Sequence, residues 1–313
     1  MFRRIIIVTL TLLQVSVLGV FAQYDVSFAH YFDMEPSFNP AAVGKASVLN
    51  VDVAYAMDLA GFEHNPQTMY AAADMPFYFM KSYHGAGLQF MNDKIGLFTH
   101  QKLAAQYAFR FRMFGGQLGI GMQAGLLSES FDGSRLDLED SSDPAFTSSE
   151  VSGNALDLCA GLYYTHGPWY VGLSAQHVTS PCVELGEHNE LQIDPTFYFT
   201  GGYNIKLRNP FLTIKPSFLV RSDLVAWRAD ITGRLYYTHE DKVMYGGLSY
   251  SPTNSVTVLL GAKLHGIMFG YSYEVYTSAI NPGNGSHELF LGYQTDINLI
   301  KKGRNKHKSV RIL

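Results

Sequence analysis

Long segments in which apolar and polar side chains alternate recur along this chain. In the segment 195–207, Phe197 and Phe199 share one face, while Thr196 and Thr200 share the other. Successive side chains of a β-strand point to opposite sides, so each such segment is predicted to be a strand with one apolar and one polar face. This periodicity constrains the fold more than any other feature, because it predicts an all-β protein.

The length of these segments separates two kinds of all-β protein. A soluble β-sandwich gives the same alternation, but its strands average about five or six residues. The segments here run to about ten to fifteen residues, and tilted membrane strands need about 9 to 11. One polar face also carries Arg228, Asp230 and Arg234, which suits a lumen lined by ionic contacts. The sequence therefore predicts a transmembrane antiparallel β-barrel.

We count about fourteen strand segments, an even number, as in bacterial single-chain outer-membrane barrels. They are 48–58, 68–78, 83–92, 97–113, 115–130, 154–166, 168–178, 195–207, 211–223, 227–238, 242–252, 254–264, 266–276 and 286–298.

The connections between these segments predict an orientation. Outer-membrane barrels have short periplasmic turns and longer outer loops. The even-numbered connections include the short ones 115–116, 166–168, 208–210 and 265–266, and the odd-numbered ones include the longest, 131–153 and 179–194. With this pattern, both termini are predicted to lie in the periplasm of a bacterial cell with the barrel in its outer membrane.

The ends of the chain differ from the predicted barrel. Arg3 and Arg4 precede a short, mostly apolar run, and Ala22 closes a pattern typical of signal-peptide cleavage. We predict a cleaved signal peptide at 1–22, with an uncleaved inner-membrane anchor as the alternative. Residues 23–47, which contain Pro36 and Pro40, are predicted to lie in the lumen or in the periplasm. The barrel is then expected over 48–300, followed by a basic periplasmic tail over 301–313.

Composition agrees with this organisation. Aromatic residues make up 14% of the chain and charged residues only 16%, against about 25% charged in ordinary soluble domains. After the first segment there is no apolar run long enough for a membrane helix. A net charge of −4 gives no electrostatic basis for binding nucleic acid. Cys159 and Cys182 could form a disulfide in an oxidising compartment or remain free.

The sequence contains no recognisable catalytic set. It has neither a His-Glu-x-x-His pattern nor a Gly-x-Ser-x-Gly elbow. The glycine-rich stretch 115–121 lacks dinucleotide-binding spacing and is interpreted as turn chemistry. Four histidines could be ligands or bases, but are more simply loop or lumen residues: His30, His64, His84 and His287. The acidic stretch 131–153 is interpreted as a solvated loop, because it lacks calcium-loop spacing. No catalytic residue, cofactor or metal is therefore predicted.

Three short strings go beyond generic barrel features. They are Asn39-Pro40-Ala41-Ala42-Val43-Gly44, Asn92-Asp93-Lys94-Ile95-Gly96 and Gly285-Ser286-His287-Glu288. In this order and spacing they resemble the PorP/SprF family of outer-membrane proteins from the type IX secretion and gliding-motility machinery of the Bacteroidota. Family members often have a tyrosine in place of Ala42, and this chain does not end on an aromatic residue.

The resemblance implies a non-enzymatic component of protein export. It implies partners in a periplasmic ring lipoprotein, other secretion components and secreted or surface-anchored cargo, with outer-membrane lipid around the barrel. The positions that we assign to barrel architecture or, alternatively, to partner contacts are Asn39, Pro40, Gly44, Asn92, Asp93, Gly96, His287, Glu288, Lys301, Lys302 and Arg304.

The physical interpretation of the strings is architectural. Asn39-Pro40 is expected to be extended or turned, Gly44 permits a positive φ, and Glu288 is expected to face the lumen. Asn92 to Gly96 are expected to form a tight outer hairpin in which the Asn and Asp side chains bond their own backbone.

A second hypothesis is an outer-membrane channel for small solutes, with residues 23–47 as a plug. A membrane-barrel enzyme is a third hypothesis, but it needs a nucleophile placed against a base.

Overall fold

The computed structural model describes residues 24–133, 150–186, 189–240, 242–252, 254–278 and 283–297. The predicted signal peptide, most of the acidic stretch and the basic tail with Lys301, Lys302 and Arg304 lie outside these residues.

Seventeen strands are formed within the described residues, and two short 3-10 turns, Glu35–Ser37 and Pro40–Ala42, precede them. The strands are β1 Val48–Met57, β2 Gln67–Phe79, β3 Ser82–Ile95, β4 Phe98–Met113, β5 Gly116–Asp132, β6 Glu150–His166, β7 Trp169–Gln176, β8 Cys182–Leu185, β9 Asn189–Gln192, β10 Thr196–Tyr203, β11 Ile205–Lys206, β12 Leu212–Ser222, β13 Trp227–His239, β14 Lys242–Ser251, β15 Ser255–Leu264, β16 Ile267–Tyr276 and β17 Ser286–Asp296.

Fourteen of these strands close into one antiparallel barrel. Each pairs with its neighbours in chain order, β1 pairs with β17, and β10 pairs with both β7 and β12. The short β11 follows β10 and, like β10, pairs with β12. β8 and β9 form a separate hairpin. Closure pairs the strand at each side, so the sheet has no free edge. The predicted fourteen-strand antiparallel barrel is confirmed.

The predicted strand boundaries agree within a few residues, with two larger differences. β3 continues to Ile95 and β6 begins at Glu150, whereas the sequence suggested 92 and 154. At both places the ladder continues: Ile95 is opposite Phe98, and Glu150 is opposite Asp132. Backbone pairing with a neighbouring strand extends these strands beyond the point where their alternation fades.

The two mouths of the barrel differ. The connections that follow β2, β4, β6, β11, β13 and β15 form one mouth of the barrel, which we call the turn end. We call the opposite mouth the loop end. Two residues suffice for several connections at the turn end, such as 80–81 and 114–115, while the connection after β7 at the loop end includes the β8–β9 hairpin. β1 begins and β17 ends at the turn end, where the Ile297 amide donates to the Ser47 carbonyl.

The two faces of the wall carry opposite chemistry. Outward side chains are apolar and exposed, as with Leu88 at 62% and Leu156 at 64% exposure. Inward side chains on the same strands are polar and buried, such as Gln89, Gln123 and Asp157. An apolar outer face around a polar interior is the arrangement of membrane barrels. Outward aromatic rings also cluster near the turn end, among them Phe77, Phe79, Tyr107, Phe109 and Phe111.

Residues 24–44, which we call the lumenal segment, lie inside the barrel. Phe28 and Met34 pack on wall residues that include Tyr70 and Phe290. Tyr31, Phe32 and Phe38 pack on a second wall cluster, formed by Tyr198, Leu219, Tyr236, Tyr245 and Leu259. The lumenal placement is therefore the one that the structure adopts for this stretch.

The lumenal segment crosses the barrel from one mouth to the other. Tyr24 contacts Glu129 near the loop end, whereas Gly44 donates to Asp74 near the turn end. The two ends of the barrel wall thus share the turn end, but Tyr24 lies at the opposite mouth. The prediction that both termini are periplasmic therefore applies to the two ends of the barrel wall and does not extend to the start of the lumenal segment.

The β8–β9 hairpin covers part of the loop end. Val183, Leu185 and Ile193 are buried against Leu127 of β5, and Tyr24 packs beside them. Nowhere in the described residues is there a helix with the length and apolar character needed to cross a membrane. Cys159 is buried in the wall and Cys182 is exposed on β8, and both are free thiols.

The two cysteines give a direct test of the predicted orientation. In intact cells, a membrane-impermeant maleimide should label the protein through Cys182, because the loop end is predicted to face outward. Cys159, 3% exposed, should stay unlabelled. The readout is a mass shift of the purified protein, and Cys182→Ser should abolish it. Labelling that appears only after the outer membrane is permeabilised would contradict the orientation.

Candidate functional site

The second half of the lumenal segment turns tightly and lies against the barrel wall. Asn39 is extended, with φ −134° and ψ 104°, and its side chain accepts a hydrogen bond from the Ala41 amide. Its amide nitrogen donates to the carbonyls of Leu162 and Leu173 at 3.1 and 3.4 Å. Asn39 is fully buried. It therefore caps the turn at Pro40–Ala42 and also binds two wall strands.

Glycines in the wall make room for this turn. A Cβ added at Gly121 would lie 2.2 Å from the Ala41 amide nitrogen, and one at Gly161 would lie 2.2 Å from Asn39 Oδ1. A Cβ added at Gly85 would lie 2.2 Å from the Val43 carbonyl oxygen. We call these three positions on β5, β6 and β3 the glycine groove. Any side chain in the groove would collide with the backbone or the buried polar group of the segment.

Polar wall side chains bind the carbonyl groups of the segment. Arg110 donates to the carbonyls of Ala41 and Val43 at 2.7 and 2.6 Å. Gln106 donates to Pro36 at 2.6 Å, and Ser174 donates to Phe38 at 2.7 Å. A segment without regular secondary structure needs such partners, because a buried carbonyl without one is costly.

Gly44 ends the docked turn in a conformation that favours glycine. Its φ is +62°, and its amide donates to Asp74 Oδ2 at 2.7 Å. The chain then leaves the lumen through Lys45, which pairs with Glu35. The string from Asn39 to Gly44 is thus the docking element of the lumenal segment.

Glu288 holds the middle of the segment. Its two carboxylate oxygens accept from the amides of Ala29 and His30 at 2.7 and 3.0 Å. The His30 ring lies 2.6 Å from the same carboxylate through Nδ1. Both side chains are buried, so Glu288 satisfies three groups that have no access to bulk water. Glu288 of β17 thus lies on the lumenal side of the wall.

A chain of charged groups holds the start of the segment at the loop end. His177 lies between two carboxylates, with Nε2 2.9 Å from Asp25 and Nδ1 3.0 Å from Asp157. Lys102 lies 3.3 Å from the other oxygen of Asp157. Tyr198 also donates to Asp25, at 2.7 Å. We call Asp25, His177, Asp157 and Lys102 the loop-end network.

Neighbouring opposite charges set the pKa values of Asp25 and His177, which both lie outside the strands. Burial disfavours a charged Asp25, but His177 and Lys102 outweigh it and hold the pKa of Asp25 below its ordinary value. Burial likewise disfavours a charged imidazole, yet Asp25 and Asp157 raise the pKa of His177 to about 9. His177 is therefore a cation at neutral pH, and the network is a buried ion-pair chain. A second link beside it joins Tyr24 and His100 to Glu129.

Asn92 and Asp93 do not form the predicted turn. Both belong to β3, where they lie opposite Gln101 and His100. Asn92 accepts from Gln101, and Asp93 accepts from Thr68 at 2.6 Å in the lumen, so neither bonds its own backbone as expected. The ladder occupies their backbone groups. Gly96 does lie in the hairpin turn, with φ +60°.

The other candidate histidines lie apart from one another. His287 faces outward and contacts the Tyr271 hydroxyl at 2.8 Å, and His84 lies among the outward aromatic rings, 2.7 Å from the Tyr107 hydroxyl. His64 is exposed in the connection after β1. In the described part of the chain, no group of three or more His, Cys, Asp or Glu side chains could hold a metal ion.

Apart from Glu288, the sequence did not single out the wall residues that bind the lumenal segment. One residue of the glycine groove, Gly121, lies in the glycine-rich stretch 115–121, for which the sequence predicts a turn. In the structure, Gly121 is not in the turn, and its missing side chain lets the backbone of Ala41 approach the wall. Asp25, Asp157 and His177 were not singled out, because Asp25 lies 152 positions from His177 and no local pattern joins them. Together, these contacts hold the lumenal segment against the wall, and the segment fills the lumen.

Solved structures with a similar fold are outer-membrane barrels. One, the "CymD monoaromatic hydrocarbon channel", is 9% identical with a TM-score of 0.50, and the match covers 90% of this chain and 95% of that one. The Pseudomonas putida toluene transporter TodX is 9% identical with a TM-score of 0.48, and the match covers 87% and 95%. Identities this low show the fold alone. Among curated proteins none matches.

Fold and surface chemistry together define an outer-membrane β-barrel protein whose lumen is occupied by its own N-terminal segment. A family described as "Type IX secretion system membrane protein PorP/SprF" matches residues 20–293. The chain belongs to the PorP/SprF family, and the resemblance seen in the three strings is confirmed at the level of the family.

The glycine groove gives a sharp test of docking. Gly121→Ala should displace the lumenal segment, because its Cβ would meet backbone atoms of Ala41 that cannot move alone. Overpacking of this kind costs about 1–3 kcal/mol, so the variant should unfold at lower temperature on heated gels and show increased conductance in planar bilayers. Gly233→Ala is the matched control, since nothing lies within 4 Å of its added Cβ. Equal behaviour of the two variants would refute the docking role.

The loop-end network predicts a pH dependence. His177 stabilises the folded state fully below its ordinary pKa of 6.5, and this contribution is lost as the pH rises through about 9. Asp25, whose pKa is lowered, contributes above its ordinary 3.8. Amides of residues 26–33 should therefore lose several-fold protection from hydrogen exchange between pH 7 and pH 10. In His177→Asn, which tolerates the φ of +53° found there, this change should disappear. An unaltered pH profile in the variant would contradict the assignment.

Proposed function

We propose that this protein supports the export or surface display of cargo proteins through contacts with partner proteins at the outer membrane. The observation that carries the proposal is the family match over residues 20–293, which makes the chain a membrane component of type IX secretion. The finer proposal is that the chain is the PorP member of the family itself.

The occupied lumen favours an interaction role over a conduit. A fourteen-strand barrel has an interior wider than its own side chains fill, and here the lumenal segment occupies it with buried apolar clusters and ion pairs. Among the described residues, one pocket between segment and wall has about 40 Å³, room for a few waters, and a second, at the turn end, has about 310 Å³. Export of folded or extended cargo through this lumen would require removal of the segment.

The channel hypothesis remains a distinct second function. One barrel of similar fold is a monoaromatic hydrocarbon channel, but that likeness concerns the fold. Solute uptake into vesicles separates the two functions. No gain over empty vesicles for the intact protein would argue against a channel, and uptake that depends on solute class would support one.

The partner proposal assigns contacts to the periplasmic side. A periplasmic ring lipoprotein and other secretion components are the proposed partners there. The like-charged tail with Lys301, Lys302 and Arg304 is a proposed contact, because a run of one charge attracts a surface of the other. No catalytic step enters this function, and the family is one of secretion components.

Purification from gently solubilised native membranes tests the proposed function. The tagged protein should co-purify with secretion components, and deletion of its gene should leave cargo inside the cell. Removal of residues 301–313 should weaken partner recovery several-fold while the barrel still migrates as a folded species. A matched control replaces the cationic side chains of the tail with glutamine. Normal surface display of cargo without this protein would overturn the proposal.

A further inference from the structure

A polar pocket of about 310 Å³ lies beside the lumenal segment at the turn end. Wall residues of β6, β7, β12 and β13 form one side, and the segment forms the other. Its charged lining consists of Asp33, Glu35, Lys45, Lys215 and Arg234. We call it the mouth pocket. It shares no charged residue with the loop-end network, which lies at the other mouth.

Two of the cations in the mouth pocket make their direct contacts with neutral groups. The Lys215 ammonium lies 4.0 Å from the centre of the Tyr236 ring. The Arg234 guanidinium lies 3.4 Å from the centre of the Phe32 ring and donates to Tyr236 and Ser217 at 3.1 and 3.3 Å. Neither cation forms an ion pair with any carboxylate in the described ranges. Arg234 is buried and Lys215 is half-buried. Buried charges are normally paired, so these cations have unused capacity for an anion.

Arg234 has a specific unsatisfied donor. It is 6% exposed, and its Nε is buried without a hydrogen-bond partner. An orphaned donor on a buried guanidinium is costly unless a ligand or water binds it. Arg234 is also pre-organised, because its stacking on Phe32 and its two hydrogen bonds fix the plane of the guanidinium.

The acids in the pocket do not neutralise these cations. Glu35 is paired with Lys45. Asp33 has one carboxyl oxygen buried without a partner, and burial raises the pKa of Asp33 above its ordinary value. Lys215 and Arg234 supply positive charge to the pocket, and Arg234 Nε supplies a donor that has no partner. The two cations therefore suit one acceptor with several lone pairs.

We propose that the mouth pocket binds an anionic oxygen group, a carboxylate or a phosphate, that enters from the turn end of the barrel. Such groups accept several charge-assisted hydrogen bonds at once. The rings of Tyr170 and Tyr236 give an apolar side to the pocket, and Trp169 lies at its edge with its ring packed on Tyr164 and His166. The proposal stands on this geometry and does not depend on the secretion role.

Trp169 provides a local reporter for the test. It lines the mouth pocket, and the chain has only 2 Trp, of which the other, Trp227, is 66% exposed at the loop end. In the detergent-solubilised Trp227→Phe protein, titration with inorganic phosphate or with acetate at constant ionic strength should give a saturable change in Trp169 fluorescence. Sodium chloride over the same range should give none, and Trp169→Phe protein should not respond.

Lys215→Gln should weaken the binding constant at least fivefold. Lys263→Gln is the matched control: Lys263 lies at the same end of the barrel but bonds Gln294 and lies outside the pocket, so binding should change less than twofold. Lys215→Arg keeps the charge and should retain binding, which covers the case in which the glutamine variant fails to fold.

Each outcome of the titration decides for or against the pocket. Saturation by acetate but not phosphate supports a carboxylate, as on a protein segment, and the reverse supports a phosphate-bearing ligand. No saturable change with either probe, or equal titration by wild-type and Lys215→Gln proteins, overturns the proposal.

Discussion

Backbone pairing in the membrane is the constraint on which this structure depends. A strand that crosses hydrocarbon cannot leave amides and carbonyls unpaired, because each costs several kcal/mol. The barrel meets this requirement because β1 pairs with β17 and every strand of the wall has a neighbour on each side, including β10, which pairs with both β7 and β12. The absence of an edge follows from that requirement. The length of the strands follows from the thickness of the membrane, and the outward apolar face from contact with its hydrocarbon.

Closure creates a second problem, which the lumenal segment solves. Fourteen strands enclose more space than the inward side chains fill. The segment fills it, and the wall is adapted to the segment: glycines admit its backbone, Arg110 and Glu288 bind its peptide groups, and the loop-end network holds its start. The buried ion pairs are weak evidence for stability by themselves. They matter because they hold the lumenal segment, which contains no strand, at defined positions on several strands of the wall.

Two of the family strings gain a physical meaning from this arrangement. The string from Asn39 to Gly44 docks in the glycine groove, and Glu288 anchors Ala29 and His30. The first string is the docked part of the lumenal segment, and Glu288 binds the same segment from β17. This favours architecture over partner recognition at these positions. The string from Asn92 to Gly96 instead ends β3 and turns into β4. Partner surfaces are then to be sought at the mouths and the outer face.

The sequence by itself determined the class of fold, the number of staves and which side chains face outward, because strand periodicity and strand length are local properties of the chain. It also identified the strings that place the chain in its family. Only the tertiary structure decided that residues 24–44 cross the lumen, that Gly121 and Gly161 form a groove, and that Asp25 meets His177 across 152 positions of sequence. Those contacts join strands far apart in the chain, and no local pattern encodes which inward residues of a closed barrel face one another.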